Sequence, residues 1–149
     1  MPATPPSDRQ RWMSVLARAD RAAIEAALAE APPLPAHTRL RGPEVGLVMV
    51  RGRTGGGGSP FHLGEMTVTR CTVRAEGRIG HAYVAGRDGG KAELAARLDA
   101  ALQDPERQAA LQRAVIGPLE SREQERRAAL AARAAATRVD FFTLATMRS

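Results

Sequence analysis

The chain has 149 residues, of which 44% are hydrophobic and 26% charged, and this composition is typical of one globular domain. Its net charge of +6 is spread evenly over the three thirds of the sequence, whereas proteins that bind nucleic acid concentrate positive charge in a face, tail or stripe. No segment approaches the roughly 18 continuous apolar residues of a membrane-spanning helix, and residues 1–8 lack the apolar core of a signal peptide. We therefore expect a cytoplasmic protein that binds neither nucleic acid nor a membrane.

The hydrophobic core must be built mainly from Ala, Leu and Val, because only 3% of the residues are aromatic. Such side chains bury little area, and at about 25 cal/mol per Å² they leave a small margin over the conformational entropy that is lost on folding. Contacts with another protein could supply the difference. The composition thus gives a first indication that the chain works in an assembly.

The N-terminal region has the pattern of two short helices. Ser7 and Gln10 have the spacing of a capping box, and an apolar stripe at helical period follows them. Asp20 is placed to cap a second helix, which a group of prolines ends. The sequence predicts helices within residues 9–30, after a disordered segment at residues 1–8.

Residues 44–86 are predicted to form an antiparallel sheet. Residues 45–50 carry bulky apolar side chains at both parities, which favours a strand covered on both faces. The alternation slips in the next strand, which predicts bulges near Gly64 and near Thr69–Arg70. A third strand, residues 79–85, has mostly small residues on one face and would let a helix pack closely.

Helical period returns over residues 91–136, with Asp104 and Pro105 as a cap and first helical residue. Pro118 is expected to kink or break this stretch, and residues 139–147 could form a final strand. The predicted fold is a single α+β domain spanning residues 1–149. It contains an antiparallel sheet of three to four strands with a long Gly-rich hairpin, flanked by N-terminal and C-terminal helices.

Few residues suit catalysis. Cys71 is the single cysteine, and the three histidines (His37, His62 and His81) lie far apart without the spacing of metal ligands. We expect no catalytic residue, no metal site and no cofactor bound by this chain.

The glycine run between the first two strands is the strongest candidate for anion binding, since exposed backbone amides can hold a phosphate. The run lacks the Lys–Ser/Thr ending of a nucleotide-binding loop, so a plain hairpin tip is the simpler interpretation. The candidate anion or partner contacts are Arg51, Arg53, Gly55, Gly56, Gly57, Gly58, Arg70, Arg87 and Asp88.

A second set of residues is a candidate for docking. Two of the few aromatic residues lie near the C-terminus, where most chains fray, so they need a surface to bind. That surface could equally be the chain's own sheet or another subunit. The candidate docking residues are Trp12, Arg138, Asp140, Phe141 and Phe142.

Five segments in order along nearly the whole chain resemble the PhnG family of phosphonate metabolism. They are RWMSVLA at residues 11–17, PEVGLVMVRGR at 43–53, LGEMTVTRCTVR at 63–74, GHAYVAGRD at 80–88 and RVDFFT at 138–143. Residues 144–147 depart from the usual family ending, which puts only the contacts of the terminus in question.

The resemblance implies a structural subunit of the carbon–phosphorus lyase core complex, in an obligate hetero-oligomer with PhnH, PhnI and PhnJ and with PhnK and PhnL ATPases associated. In that system PhnI couples a phosphonate to the ribose of ATP, with PhnG as non-catalytic support. It also implies that ATP, the iron–sulfur cluster and S-adenosylmethionine belong to the partner subunits. The alternative is a stand-alone nucleotide- or phosphonate-binding protein that uses Arg51, Arg53 and the glycine loop.

Overall fold

A computed structural model describes residues 7–139 of the chain. The helices are α1 (Asp8–Arg18), α2 (Arg21–Ala29), α3 (Gly89–Leu102), α4 (Pro105–Leu111) and α5 (Gly117–Ala136), and the strands are β1 (Thr38–Arg53), β2 (Pro60–Ala75) and β3 (Arg78–Ala85). The strands form one antiparallel sheet in the order β1-β2-β3. The predicted α+β class is therefore confirmed. The suggested final strand at residues 139–147 lies outside the described residues, except for Val139.

Helix α1 begins where the capping box predicts. The backbone amide of Gln10 donates to the Ser7 hydroxyl at 3.3 Å, and the Ser7 amide donates to the Gln10 side chain at 2.8 Å. Ser7 and Asp8 therefore belong to the start of this helix, at the end of the segment for which disorder was predicted. Asp20 precedes α2 as expected, but its side chain makes no capping hydrogen bond.

The core lies between the sheet and the alanine-rich helix α3. Gly80 on β3 is the point of closest approach, because a Cβ there would overlap the carbonyl oxygen of Ala96 and the amide nitrogen of Ala100. The prediction that small residues on the third strand admit a helix is confirmed. The largest fully buried apolar side chains are Leu16, Ile24, Leu98, Leu102, Leu111 and Ile116, with Val73, Val84 and Val115.

A buried carboxylate joins α1, α3 and β3. The side chain of Asp99 is wholly buried and accepts a hydrogen bond from the indole of Trp12 at 2.9 Å and from the backbone amide of His81 at 2.9 Å. It also accepts a bidentate pair from Arg9, at 3.1 Å and 2.8 Å. Asp99 in turn raises the pKa of Arg9 further above its ordinary value, chiefly through this hydrogen bonding. Because each oxygen of the carboxylate is satisfied, the burial of this charge is tolerated.

One of the two predicted bulges is present. Val50 pairs with Gly64 and Arg51 pairs with His62, so Leu63 is the extra residue on β2. The second prediction is wrong, since β2 pairs with β3 in unbroken register from Val68 to Ala75. The extra residues near that point fall on β1 instead, around residues 40 and 42–43.

The parity slip that suggested the second bulge has another cause. Thr69 occupies the core position where an apolar residue was expected, and it is fully buried with its hydroxyl donating to the Gly86 carbonyl at 2.7 Å. A buried threonine that is satisfied in this way keeps the strand regular.

Pro118 does not break the C-terminal helices. A π-helical turn, Gln112–Ile116, precedes it, and the backbone stays helical through Ile116 and Gly117. The wider turn accommodates the missing amide of Pro118 without ending the helix. Beyond Glu123, every residue of α5 is exposed. Within residues 7–139, no helix combines the length and apolarity that crossing a membrane requires.

Candidate functional site

Strands β1 and β2 extend beyond the third strand as a two-stranded ribbon. Strand β3 ends at Ala85, opposite Val68, and the Gly86 amide makes the next bond, to the Thr67 carbonyl at 2.9 Å. Past this point residues 47–53 pair only with residues 60–67. We call this ribbon, with its connecting residues 54–59, the arm.

One face of the arm is apolar along its length, and we call it the apolar face. Val48 pairs with Met66 on this face, and the side chain of Leu63 lies over Gly52, within 2.6 Å of where a Cβ would stand. The apolar face continues the side of the sheet that the helices leave uncovered, where Tyr83 is exposed. Leu63 is 61% exposed and Phe61 45%, so the apolar face is open to solvent.

The opposite face, which we call the mixed face, changes character along the arm. Leu47 and Met49 are exposed nearer the helices, whereas Arg51 and Arg53 follow at the tip. Sequence reasoning predicted that residues 45–50 would be covered on both faces. That prediction is wrong for the described part of the chain, because Val45, Leu47 and Met49 are each at least half exposed there.

The tip of the arm carries positive charge without an internal counter-charge. Arg51 pairs with His62 across the strands, and within residues 7–139 neither side chain makes a hydrogen bond or an ion pair. Arg53 donates to the carbonyl of Gly58, at 3.3 Å. Glu65, opposite Met49, is the carboxylate nearest the tip along β2.

The glycine run forms the turn at the tip of the arm. Gly55 has a φ of 59°, which favours glycine, and a Cβ at Gly58 would come within 2.5 Å of the Thr54 carbonyl oxygen. The amides of Gly57 and Gly58 both donate to that same carbonyl. Since these two donors are already used within the turn, the loop is less suited to hold an anion than its composition suggests.

The remaining candidates for anion contact lie elsewhere. Arg70 pairs with Glu44 on the sheet at 3.0 Å, and this hydrogen bonding raises the pKa of Arg70. Asp88 caps α3 by accepting from the Lys91 amide at 2.9 Å, as the turn interpretation predicts, and Arg87 is exposed beside it. Arg87 and Asp88 follow the end of β3, at the base of the arm, so the structure does not bring them together with the tip arginines.

The docking candidates divide between the core and the terminus. Trp12 is only 3% exposed and donates to Asp99, so its indole packs in the chain's own core. The sequence pattern of an aromatic residue on an apolar helical stripe is the same whether the chain's own core or a partner covers that residue. Arg138 follows α5, with its amide donating to the Ala135 carbonyl at 3.3 Å. Asp140, Phe141 and Phe142 lie outside the described residues.

Outside the arm, several titratable side chains make contacts that hold the fold together. Glu93 on α3 accepts from His37 at 2.8 Å and from Arg39 in a bidentate pair at 2.9 Å and 2.8 Å. The bonds from Arg39 and then His37 lower the pKa of Glu93. Burial raises the pKa of the Cys71 thiol, which donates to the Arg41 carbonyl at 3.5 Å. Among the described residues, no group of His, Cys, Asp and Glu has the arrangement of a metal site.

Replacing Glu93 with glutamine is expected to change the response to acid. Because the pKa of Glu93 is lowered in the folded state, its ionised form stabilises the fold above the ordinary carboxyl pKa of about 4.3. That contribution is lost as the pH falls through the folded-state pKa. Glu93→Gln should therefore cost about 1–2 kcal/mol at pH 7, and the difference should shrink toward pH 3. Urea unfolding of both proteins at several pH values measures this loss of stability. A loss that does not depend on pH would contradict the stabilising role of ionised Glu93.

Comparison with known proteins agrees with the resemblance of the five segments. The family model "Phosphonate metabolism protein PhnG" matches residues 7–147. A protein of Rhizobium meliloti (strain 1021), named alpha-D-ribose 1-methylphosphonate 5-triphosphate synthase subunit PhnG, is 43% identical over 142 residues, which cover 93% of this chain and 88% of the relative. The match spans the helices, the sheet and the arm together. The chain belongs to the PhnG family of phosphonate metabolism proteins.

Proposed function

We propose that the chain is a non-catalytic structural subunit of a ribose 1-methylphosphonate 5-triphosphate synthase, within a carbon–phosphorus lyase core complex that also contains PhnH, PhnI and PhnJ. PhnK and PhnL ATPases would associate with that complex. In this assembly the chain supports PhnI in coupling a phosphonate to the ribose of ATP. The iron–sulfur cluster and S-adenosylmethionine belong to the partner subunits. The similarity to the Rhizobium meliloti subunit supports this proposal.

The observation that carries the proposal is the exposed arm. A two-stranded hairpin is marginally stable in water without further strands or a packed face, and this one exposes large apolar side chains on both faces. Exposed apolar strands are also sites of aggregation. A protein that keeps such an element needs another polypeptide to cover it, which suits a subunit and does not suit a stand-alone enzyme.

Co-expression tests the proposal. The tagged chain, produced together with its proposed partners PhnH, PhnI and PhnJ, should co-purify with them in fixed proportion. The chain produced alone should aggregate or give low yields, because stable obligate interfaces often bury more than about 2,000 Å². A well-behaved monomer that leaves the three partners in the flow-through would contradict the proposal.

A second candidate function is a stand-alone protein that binds a nucleotide or a phosphonate at the arm tip. The unpaired side chain of Arg51, with Arg53 nearby, favours this candidate. Calorimetry of the isolated chain with ATP and with methylphosphonate separates the two functions. The structural-subunit proposal predicts no heat of binding without PhnI, whereas saturable binding by the chain alone would favour the second candidate.

A further inference from the structure

We infer that the arm is the principal docking element of this subunit, and that it inserts into an apolar cleft of a neighbouring polypeptide with carboxylates at the far end. The inference rests on the proposed function and specifies how the subunit assembles. It assigns the apolar face to one wall of the cleft, the mixed face to the other wall, and the two tip arginines to the carboxylates.

The distribution of exposed apolar side chains selects the arm. Of the large hydrophobic side chains that stand exposed in the described part of the chain, the greatest concentration lies here. The five on the arm are Leu47, Met49, Phe61, Leu63 and Met66. By contrast, the exposed outer half of α5 presents the single large apolar residue Leu130 within a stretch rich in charge and alanine. The arm therefore offers the most apolar area to a partner.

The exposure of both faces determines the shape of the binding site. A partner that lay flat against the arm would cover either Leu63 on the apolar face or Met49 on the mixed face, and would leave the other in water. Leu63 and Met49 are 61% and 57% exposed, so residues 7–139 cover neither face. Burying both requires a cleft with two walls, which adds the area of the second face to the hydrophobic gain.

The charges at the tip determine the chemistry at the end of the cleft. Arg51 and Arg53 enter the cleft first, and burying an unpaired guanidinium is costly. Guanidinium groups match carboxylates in bidentate geometry. The single nearby carboxylate of the arm, Glu65, is too few for two arginines, so the partner must supply acidic side chains.

The same count of charges disfavours a second copy of this chain as the occupant. Two arms packed together would bring four tip arginines against two copies of Glu65. Glu44, near the base of the arm, is already engaged by Arg41 and Arg70. Two arms packed together therefore lack the complementary charge, which favours a different polypeptide as the partner.

Cysteine labelling tests insertion into a cleft directly. Cys71 is the single cysteine and is buried, so a maleimide reports on any cysteine that is added at an exposed position. Leu63→Cys probes the apolar face, Met49→Cys probes the mixed face, and Leu130→Cys on α5 is the matched control, at 66% exposure. Each is labelled in the isolated chain and in the complete co-expressed complex.

The inference predicts that the complex protects Leu63→Cys and Met49→Cys together and leaves Leu130→Cys reactive. Protection of one arm position alone would show a flat contact and overturn the cleft. Protection of Leu130→Cys with both arm positions reactive would move the interface to α5. Protection of both arm positions in the chain alone, in a dimer on gel filtration, would show that the occupant is a second copy.

Assembly variants supply a second readout. Leu63→Asp should weaken association by at least about thirtyfold in Kd, as expected for a buried interface anchor. The pair Arg51→Glu and Arg53→Glu should also weaken it, whereas Leu130→Asp should not. If the wild type fails to co-purify with any partner, the proposed function fails. If the wild type and Leu63→Asp co-purify equally, the proposed function stands and the docking inference is overturned.

Discussion

Asp99→Ala is expected to lower the free energy of unfolding by about 3–5 kcal/mol, the range seen when one partner of a buried charge pair is removed. The substitution leaves the Trp12 indole and the His81 amide without an acceptor in the core, and each such loss costs about 1–3 kcal/mol. It also frees Arg9, whose side chain is 41% exposed and can be hydrated instead. The network joins α1 to α3 and β3, so its loss should loosen the packing of α1.

The change can be followed with the single tryptophan, because Trp12 itself belongs to the network. Urea unfolding of the purified chain, at a concentration low enough to limit association, gives the free energies. Asp20→Ala is the matched control, since Asp20 is exposed and makes no capping bond, and it should change stability by less than about 0.5 kcal/mol. Equal stability of Asp99→Ala and Asp20→Ala would contradict the assigned role of the network.

Gly80→Ala is expected to cost about 3 kcal/mol or more, at the upper end for overpacking. The added Cβ would overlap backbone atoms of Ala96 and Ala100, which cannot move aside as a flexible side chain does. Helix α3 would have to shift away from β3 and loosen the core along its length.

Gly46→Ala is the natural comparison, because Gly46 also lies in a strand. Nothing stands within 4 Å of a Cβ built there. Because alanine allows the unfolded chain fewer conformations than glycine, the substitution should leave stability unchanged or raise it by up to about 1 kcal/mol. Thermal unfolding of both variants at one protein concentration measures the contrast. A loss at Gly46 as large as that at Gly80 would show that the cost does not come from the close approach of α3.

The sequence predicts local structure correctly where a residue type has a single physical role. Ser7 and Gln10 cap a helix because their side chains match its free amides. Gly80 admits α3 because it lacks a side chain, and Gly64 lies at a bulge with a φ of 152°. Each of these features depends on neighbouring residues in the sequence or on the size of one side chain, and both are visible in the sequence.

The failures occur where one pattern serves two environments. Apolar residues at both parities, as in residues 45–50, suit a strand buried in its own fold and equally a ribbon that another chain covers. The identity of the covering protein is not encoded locally. In the same way, Thr69 in a core position resembled a slip of register, because a buried hydroxyl needs an acceptor that only the folded chain supplies.

The candidate site was therefore predicted in part. Arg51 and Arg53 do lie at the exposed tip of the arm, beside the glycine turn. The sequence suggested the glycines as the binding element, whereas two of their amides are used within the turn. The strand that leads to the arginines was predicted to be covered on both faces at residues 45–50, whereas Val45, Leu47 and Met49 are exposed. Burial is a property of the whole fold, and the sequence of one strand does not determine it.

The central claim is that this subunit lends shape to an enzyme and has no activity of its own. The direct measurement is formation of ribose 1-methylphosphonate 5-triphosphate from ATP and methylphosphonate in an omission series. We expect full turnover from the chain with its proposed partners, loss of turnover when the chain is left out or replaced by Leu63→Asp, and none from the chain alone. Product formed by the purified chain alone, or undiminished turnover by the partners without it, would contradict the account.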